Sequence, residues 1–274
     1  MSLLSNRICS YLNDSKSEMW WPGLAEFIIS NSEHHDYPAK NYSTASLISS
    51  KKAKPAVLIP ISTLSDAKLE FLCDSHAQLF AQQKVKQVSM DRFSNPETLE
   101  RIESACALID VAPTLTSAID TLVKSIHIID AEPGYDVSFT DPGLAFSIFV
   151  SVPTDNKNAE LRLAESIIHE AMHLQLSALE KEITLVHDEK SKVYSPWKNM
   201  LRPISGIMHA LYVFSCIKQW LEIIKDTPFG HDYALTRIRE IRKELDLLEY
   251  ENCYGSLTDN GKVLFEKMIN LLKR

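Results

Sequence analysis

The side chains best suited to chemistry lie in the stretch from His169 to His173, which reads His-Glu-Ala-Met-His. In an α-helix, residues four positions apart lie on one face, so both imidazoles can bind one metal ion. Glu170 projects about 100° away from His169 and could reach a molecule bound in an open coordination position. Neighbours such as Ile168 and Leu174 make the surroundings apolar, as a desolvated metal site requires. The spacing therefore predicts a metal-binding helix, with Glu170 as a candidate catalytic residue.

Two histidines leave the ligand set incomplete, because zinc and non-haem iron sites usually take a third protein ligand. The metzincin pattern requires glycine and histidine where this chain has Leu176 and Leu179, so that class of metallopeptidase is excluded. The gluzincin pattern takes a glutamate from a later helix, often with an aspartate four residues further on. Glu222 and Asp226 fit that spacing, and His209, earlier on the same predicted helix, is the competing candidate.

The residues one helical turn away from each candidate indicate which of the two faces inward. Glu222 has Lys218 and Lys225 as such neighbours, which is typical of a solvated face. His209 has small or apolar neighbours, among them Gly206, which would leave room for a bound small molecule. The two candidates cannot both bind one ion, since continuous helix separates them by about 20 Å. We therefore predict His209 as the third ligand, with a structural core histidine as the alternative.

Hydrophobic periodicity predicts that these residues lie on the helices of a mainly helical protein. The predicted helices cover roughly residues 64–85, 96–112, 114–126, 158–182, 202–227, 232–250 and 258–272. Short strands are predicted near residues 126–130, 135–139 and 144–152, and a loop over 187–201. The expected fold class is mainly α with a small β-strand element (α+β), with a helical metal-site core around the His-Glu-x-x-His helix.

No repeat or composition change marks a domain boundary, so a single domain over residues 1–274 is predicted. It would have a mostly helical N-terminal part, residues 1–125, and a metal-binding catalytic part, residues 126–274. The strands just ahead of the metal helix could form one wall of a cleft, with an edge that pairs with an extended peptide.

Composition narrows the class of protein further. Hydrophobic residues make up 45% and charged residues 24% of the chain, as in an ordinary soluble globular protein. The net charge of −7 and the pI near 5.7 argue against nucleic-acid binding. No apolar run approaches the roughly 20 residues that cross a bilayer, and no secretory signal is evident, so no membrane is expected. Five scattered cysteines without a C-x-x-C pair predict reduced thiols in the cytoplasm. A homodimer is compatible with these features.

Several motifs follow one another in a specific order. They are FSIFVSVP (146–153), IHEAMH (168–173), PW (196–197), RPISGIMH (202–209) and LTDNG (257–261). In this combination the chain resembles the HExxH-type 2-oxoglutarate-dependent peptide β-hydroxylases, which act in the biosynthesis of ribosomally synthesised peptide natural products. The resemblance covers about residues 126–272.

The resemblance implies an Fe(II)- and 2-oxoglutarate-dependent dioxygenase that hydroxylates a side-chain β-carbon of a precursor peptide. Iron would be bound by His169, His173 and His209, which leaves three coordination positions for 2-oxoglutarate and O₂. The familiar iron site has two histidines and one carboxylate, so Glu170 or Glu222 stays open as a ligand. If Glu170 does not bind the iron, it would orient another ligand or the substrate.

The resemblance also implies a cation for the distal carboxylate of 2-oxoglutarate. A forked guanidinium suits a carboxylate better than an ammonium does. Arg202, one to two turns before His209, is the first candidate, and Arg237 and Arg239 are the others.

Two other functions fit the same residues. One is a gluzincin-type zinc metallopeptidase, with Zn(II) as the metal, Glu222 as the third ligand and Glu170 as the general base. The other is a non-catalytic module that binds a peptide and has a vestigial metal site.

Overall fold

The computed structural model describes residues 57–71, 85–140 and 146–274, together with Ile8, residues 10–12, Asp14, residues 18–23 and Glu26. By its contacts the chain divides into two compact units. One unit comprises residues 25–174, and the other comprises residues 1–24 with 175–274.

The unit of residues 25–174 contains a five-stranded sheet with the strand order β1-β2-β3-β5-β4. The strands are β1 (Val57–Ile61), β2 (Leu64–Phe71), β3 (Ser125–Ile129), β4 (Ser138–Phe139) and β5 (Ser147–Ser151). Strands β2, β3 and β5 are parallel, whereas β1 and β4 are antiparallel to their neighbours. Every residue of β3 and β5 is buried, as expected for parallel strands covered on both faces.

Short helices lie between β2 and β3 along the chain. They are α1 (Met90–Phe93), α2 (Pro96–Ile109) and α3 (Pro113–Leu122). Helix α2 begins where the sequence predicts, because the Asn95 side chain accepts a hydrogen bond from the Glu97 backbone N–H and proline occupies the first position. The predicted helix over 114–126 ends earlier, at Leu122.

The helix predicted over residues 64–85 is wrong for residues 64–71, which form β2. From Ala67 to Phe71, apolar and charged residues alternate strictly. That period of two places Ala67 and Leu69 on one face and Lys68 and Glu70 on the other, which is the pattern of a strand. Residues 72–84 of the predicted helix lie outside the described residues.

Helix α4 (Ala159–Glu182) carries the His-Glu-x-x-His motif over nearly the predicted range. The loop before it is held by Arg101, which donates to the backbone carbonyls of Pro153 (2.7 Å) and Asp155 (2.8 Å). Arg162, in the first turn of the helix, forms ion pairs with Asp136 and Asp155 at 2.7 and 2.8 Å. These contacts fix the start of α4 against the loops of the sheet unit. The boundary between the units falls within this helix, after Leu174.

The unit of residues 1–24 and 175–274 is mainly helical. Its elements are β6 (Lys192–Ser195), β7 (Met200–Pro203), α5 (Ile204–Ile224), α6 (His231–Asp246), a 3₁₀ helix (Tyr250–Ser256) and α7 (Asp259–Lys273). The predicted helices are confirmed within a few residues, and Thr258 caps α7 by accepting from the Gly261 N–H at 3.1 Å. Together with the sheet unit, this agrees with the predicted α+β class.

Residues 187–201 do not form the predicted loop throughout, because β6 and β7 pair as an antiparallel hairpin. Its strands have four residues each, too short to give a clear alternation in the sequence. The turn is closed by Asn199 with a φ of 48°, a conformation that asparagine tolerates better than most residues.

Helix α5 forms the core of this unit. It is the one helix in the described part of the chain that is long and apolar enough to cross a membrane. However, 72% of its most apolar window is buried inside the protein, as in the core helix of a soluble protein. The expectation that no apolar stretch approaches membrane-spanning length is therefore wrong for α5, whereas the burial of this helix is compatible with a soluble protein.

An N-terminal segment also packs in this unit. Trp20 and Trp21 are 1% and 2% exposed. The Gln175 side chain accepts from the Trp21 backbone N–H (3.0 Å) and donates to the Met19 carbonyl (2.9 Å). The Tyr212 hydroxyl donates to the same carbonyl at 2.7 Å. The second half of α4 is thereby joined to the beginning of the chain.

Candidate metal centre

The two histidines of the motif are brought together on α4. The Nε2 atoms of His169 and His173 lie 3.2 Å apart, and the two rings are inclined by 67°. The side chain of His169 is 31% exposed, so a ligand from solvent can reach it. The helix alone produces this arrangement, because four residues advance about 6 Å and turn about 40° past a full revolution.

This separation fits two ligands of one metal ion. With metal–nitrogen bonds of about 2.1 Å, two nitrogens at angles between about 90° and 110° lie about 3.0–3.4 Å apart. The observed 3.2 Å falls within that range. Unprotonated Nε2 atoms would have to face the ion, since a protonated ring nitrogen has no lone pair to donate. The same 3.2 Å also suits an N–H···N hydrogen bond between the two rings, so the pair is placed to bind one ion only when both Nε2 atoms are unprotonated.

Glu170 is buried beside this pair. It is 2% exposed, and its Oε1 accepts a hydrogen bond from the Ser138 hydroxyl at 2.7 Å. The same oxygen lies 3.9 Å from Nε2 of His169. A buried carboxylate requires hydrogen-bond donors, and Ser138 on the edge strand β4 supplies one of them. The carboxylate is thus held where it can orient a group bound next to His169.

The role of Ser138 was not predicted from the sequence. The strand 135–139 was expected as one wall of a cleft, and within it Ser138 alternates with Val137 and Phe139. That alternation would place its hydroxyl on the opposite face from the two apolar side chains. Nothing in the sequence, however, indicates that the hydroxyl meets Glu170.

His209 has a carboxylate partner in the helical unit. Its Nε2 lies 2.9 Å from Oε2 of Glu180, and the side chains of the two residues are 22% and 28% exposed. Glu180 lies on α4, seven residues after His173, which places it about 10 Å further along the helix and close to the same face. The sequence could have indicated Glu180, because its spacing from His169 and His173 places its carboxylate close to the same face of the helix.

The complete ligand set is not assembled in the described structure. Among the residues it describes, no group of three or more His, Cys, Asp or Glu side chains is placed to hold a metal ion. His169 and His173 are brought together, and His209 is paired with Glu180. The third ligand therefore stays a prediction.

Glu222, the alternative third ligand, lies between two lysines. Its carboxylate accepts from Lys218 at 3.3 Å and from Lys225 at closer range, and its side chain is 32% exposed. Partial burial acts to raise the pKa of Glu222, but the two ammonium groups outweigh it and hold that pKa below its usual value. The carboxylate is thus committed to a local ion-pair cluster.

Arg202 on β7 has an uncommitted guanidinium. Arg202 is half-buried and pairs with Val193 in the hairpin through its backbone, but its guanidinium makes no hydrogen bond or ion pair with any residue that the structure describes. Its Nε and Nη2 would lie 3.2 and 3.4 Å from a Cβ placed on Gly206. The space above Gly206, predicted to admit a small molecule, is therefore filled by Arg202 itself. The reserve candidate Arg237 is engaged by Glu240 at 3.1 Å.

A second pair of ionisable groups is buried in the sheet, outside the motif. His127 on β3 and Glu70 on β2 are both fully buried, with 3.7 Å between Nε2 and Oε2. The His127 ring stacks on Phe149, with ring centroids 4.6 Å apart. Burial lowers the pKa of His127 to about 3, against a hydrogen bond with the Glu70 carbonyl that acts to raise it. The histidine is neutral at pH 7 and part of the core.

The sequence matches no model of a known protein family and no curated protein. The resemblance to peptide β-hydroxylases therefore stays a prediction.

Proposed function

We propose that this protein is an Fe(II)- and 2-oxoglutarate-dependent dioxygenase that hydroxylates a side-chain β-carbon of a ribosomally synthesised peptide. The observation that supports a metal enzyme most strongly is the 3.2 Å separation of Nε2 in His169 and His173. These two residues would hold the iron, and His209 stays the predicted third ligand. Bound iron would supply the redox chemistry that lets O₂ react with 2-oxoglutarate and a C–H bond.

Arg202 supports the choice of a 2-oxo acid as co-substrate. A half-buried guanidinium without a partner among the described residues can bind a carboxylate through two parallel hydrogen bonds. In the proposed enzyme it would bind the distal carboxylate of 2-oxoglutarate. Its packing over Gly206 restricts its rotamers, so less conformational entropy is lost on binding.

The edge strand β4 supports a peptide as the substrate. It is the last strand of the described sheet on that side, and through Ser138 it contacts Glu170 of the motif. An extended peptide can add to such an edge by backbone hydrogen bonds. Glu170, fixed by Ser138, would then orient the bound peptide or a water molecule beside His169.

The test combines metal binding with product analysis. The protein is loaded with Fe(II) anaerobically, then exposed to O₂, 2-oxoglutarate and a candidate precursor peptide. Succinate formation that depends on the peptide, together with a peptide mass gain of one oxygen atom, is the expected result. His169→Ala and His173→Ala should abolish both metal binding and turnover. His231→Ala, a change at an exposed histidine bonded to the Lys225 carbonyl, is the matched control.

One observation favours a zinc peptidase as a second candidate. The Glu170 carboxylate, 3.9 Å from Nε2 of His169, is close enough to accept a proton from a water molecule beside that imidazole. The ion pairs of Glu222 count against it, because its third ligand would have to leave two lysines. Stoichiometric zinc, with peptide cleavage lost in Glu222→Ala and retained in His209→Ala, would replace the hydroxylase with a peptidase.

A further inference from the structure

The β6–β7 hairpin exposes apolar side chains. Tyr194 and Leu201 are direct cross-strand partners, 38% and 60% exposed, and the adjacent Met200 is 53% exposed. These are three of the eight large apolar side chains that are exposed in the described part of the chain. Single exposed apolar residues are normal on a protein surface, but a cluster on one element indicates a contact site.

The same hairpin is positively charged. Residues 190–203 contain Lys190, Lys192, Lys198 and Arg202 and no acidic residue, in a chain whose net charge is −7. None of the four cations forms an ion pair with a described residue.

The nearest acidic side chains in the sequence are already engaged. Asp188 accepts a hydrogen bond from the Ser191 hydroxyl, and Glu189 accepts one from the Ser205 hydroxyl, both at 2.7 Å. In the described structure these two carboxylates form no ion pair with the four cations of the hairpin.

The hairpin is held in a fixed shape. Val193 and Ser195 are buried on its inner face. In the turn, the Tyr194 hydroxyl donates to Oδ1 of Asn199 at 2.7 Å, and Trp197 stacks on Phe214 of α5 with centroids 5.4 Å apart. In the described structure β6 and β7 form a sheet of two strands, so each strand has one edge that pairs with no further strand. A fixed edge loses little conformational entropy when another strand adds to it.

We propose that the β6–β7 hairpin is a docking site for an extended peptide segment that carries both acidic and apolar side chains. The segment adds to a hairpin edge by backbone hydrogen bonds; its acidic side chains pair with the lysines and its apolar side chains pack on Tyr194 and Leu201. The exposed Leu201 favours a peptide over single-stranded RNA, because bases stack on aromatic rings such as that of Tyr194 but not on a leucine side chain. That the segment belongs to the peptide modified at the metal centre rests on the proposed function; the docking itself does not.

The experiment selects ligands without assuming their sequence. A random library of peptides about 12 residues long is displayed on phage and selected against the metal-free full chain. Enriched peptides are synthesised, labelled with a fluorophore and titrated by anisotropy. The expected sequences combine acidic and apolar residues, and the expected Kd rises about tenfold in Lys192→Glu and in Leu201→Ser. Hydrogen exchange of the backbone amides of residues 192–203 should slow when the peptide is bound.

Matched substitutions outside the hairpin serve as controls. Leu247→Ser changes a leucine that is 63% exposed, against 60% for Leu201, and Lys243→Glu reverses an exposed charge on α6. Both should leave the Kd unchanged. The four substituted residues are all exposed, so thermal melts should show that each variant is folded; they are Lys192, Leu201, Lys243 and Leu247.

Several results would overturn the docking site. They are equal affinity of the selected peptides for all four variants, enrichment of basic peptides, or no enrichment at all. Binding of single-stranded RNA or of phosphatidylserine vesicles that is lost in Lys192→Glu, without any selected peptide, would assign the surface to another partner. Selected peptides that bind the unsubstituted protein but are not hydroxylated by it when it is loaded with Fe(II) would remove the proposed function and leave the docking site intact.

Discussion

Replacing Ser138 with alanine removes the hydroxyl that holds Glu170 beside His169. A hydrogen bond to an ionised acceptor contributes about 1.5–3 kcal/mol. Ser138 is half-buried, so water can partly replace its hydroxyl, and about 1–2 kcal/mol is the better figure. If this hydrogen bond stabilises the transition state of the reaction by the same amount, kcat should fall by a factor of about 5–30. The Tm should fall by about 2–4 °C.

A neighbouring strand offers a matched control for this prediction. Ser147 on β5 is fully buried, and its hydroxyl has no hydrogen-bond partner in the described structure. Ser147→Ala removes an unsatisfied polar group and should leave the Tm unchanged or raise it slightly. Ser138→Thr keeps a hydroxyl and should restore most of the activity. The assays are thermal melts and succinate formation.

Equal behaviour of Ser138→Ala and Ser147→Ala would refute the reasoning, since only one of these hydroxyls contacts Glu170. A loss of Tm without a loss of kcat would show that Ser138 stabilises the fold without positioning the carboxylate for the reaction.

The remaining predictions concern the core, the last helix and the co-substrate. Because the pKa of His127 is about 3 in the folded protein and near 6.5 in the unfolded chain, the unfolded state binds the extra proton between these pH values. The free energy of unfolding should therefore drop by about 2 kcal/mol from pH 6.5 to pH 5, and by clearly less in His127→Gln, as measured by urea titration. Gly261→Ala would place a Cβ 2.0 Å from the backbone oxygen of Leu185. This clash should lower the free energy of unfolding by about 3 kcal/mol or more, and a Tm within about 2 °C of the parent would contradict the prediction. Gly206→Ala would press on Arg202 and should raise the KM for 2-oxoglutarate a few-fold with little change in Tm, whereas an unchanged KM would separate Arg202 from co-substrate binding.

The sequence was a good guide wherever one helix or one cap decides the structure. The approach of His169 and His173 follows from their spacing, and the start of α2 follows from Asn95 and Pro96. Such features depend only on residues within one or two helical turns, so the local sequence determines them.

Contacts between distant residues were not predictable in the same way. The hydroxyl of Ser138 meets Glu170 across 32 positions, and Glu180 meets His209 across 29. No local periodicity encodes such pairs. The strand β2 is different, because the alternation from Ala67 to Phe71 has a period of two and is local to the sequence, so the helix predicted there was an avoidable error.

The contacts of the N-terminal segment have a consequence for the order of folding. Trp21 and Met19 are made well before Gln175 and Gln219, which accept hydrogen bonds from their backbone N–H groups and follow 154 and 200 positions later. These contacts raise the contact order of the helical unit, and loop-closure entropy opposes them until most of the chain has been made. Until Gln175 has been made, the segment around Trp20 and Trp21 lacks the hydrogen bonds that hold it in the folded protein.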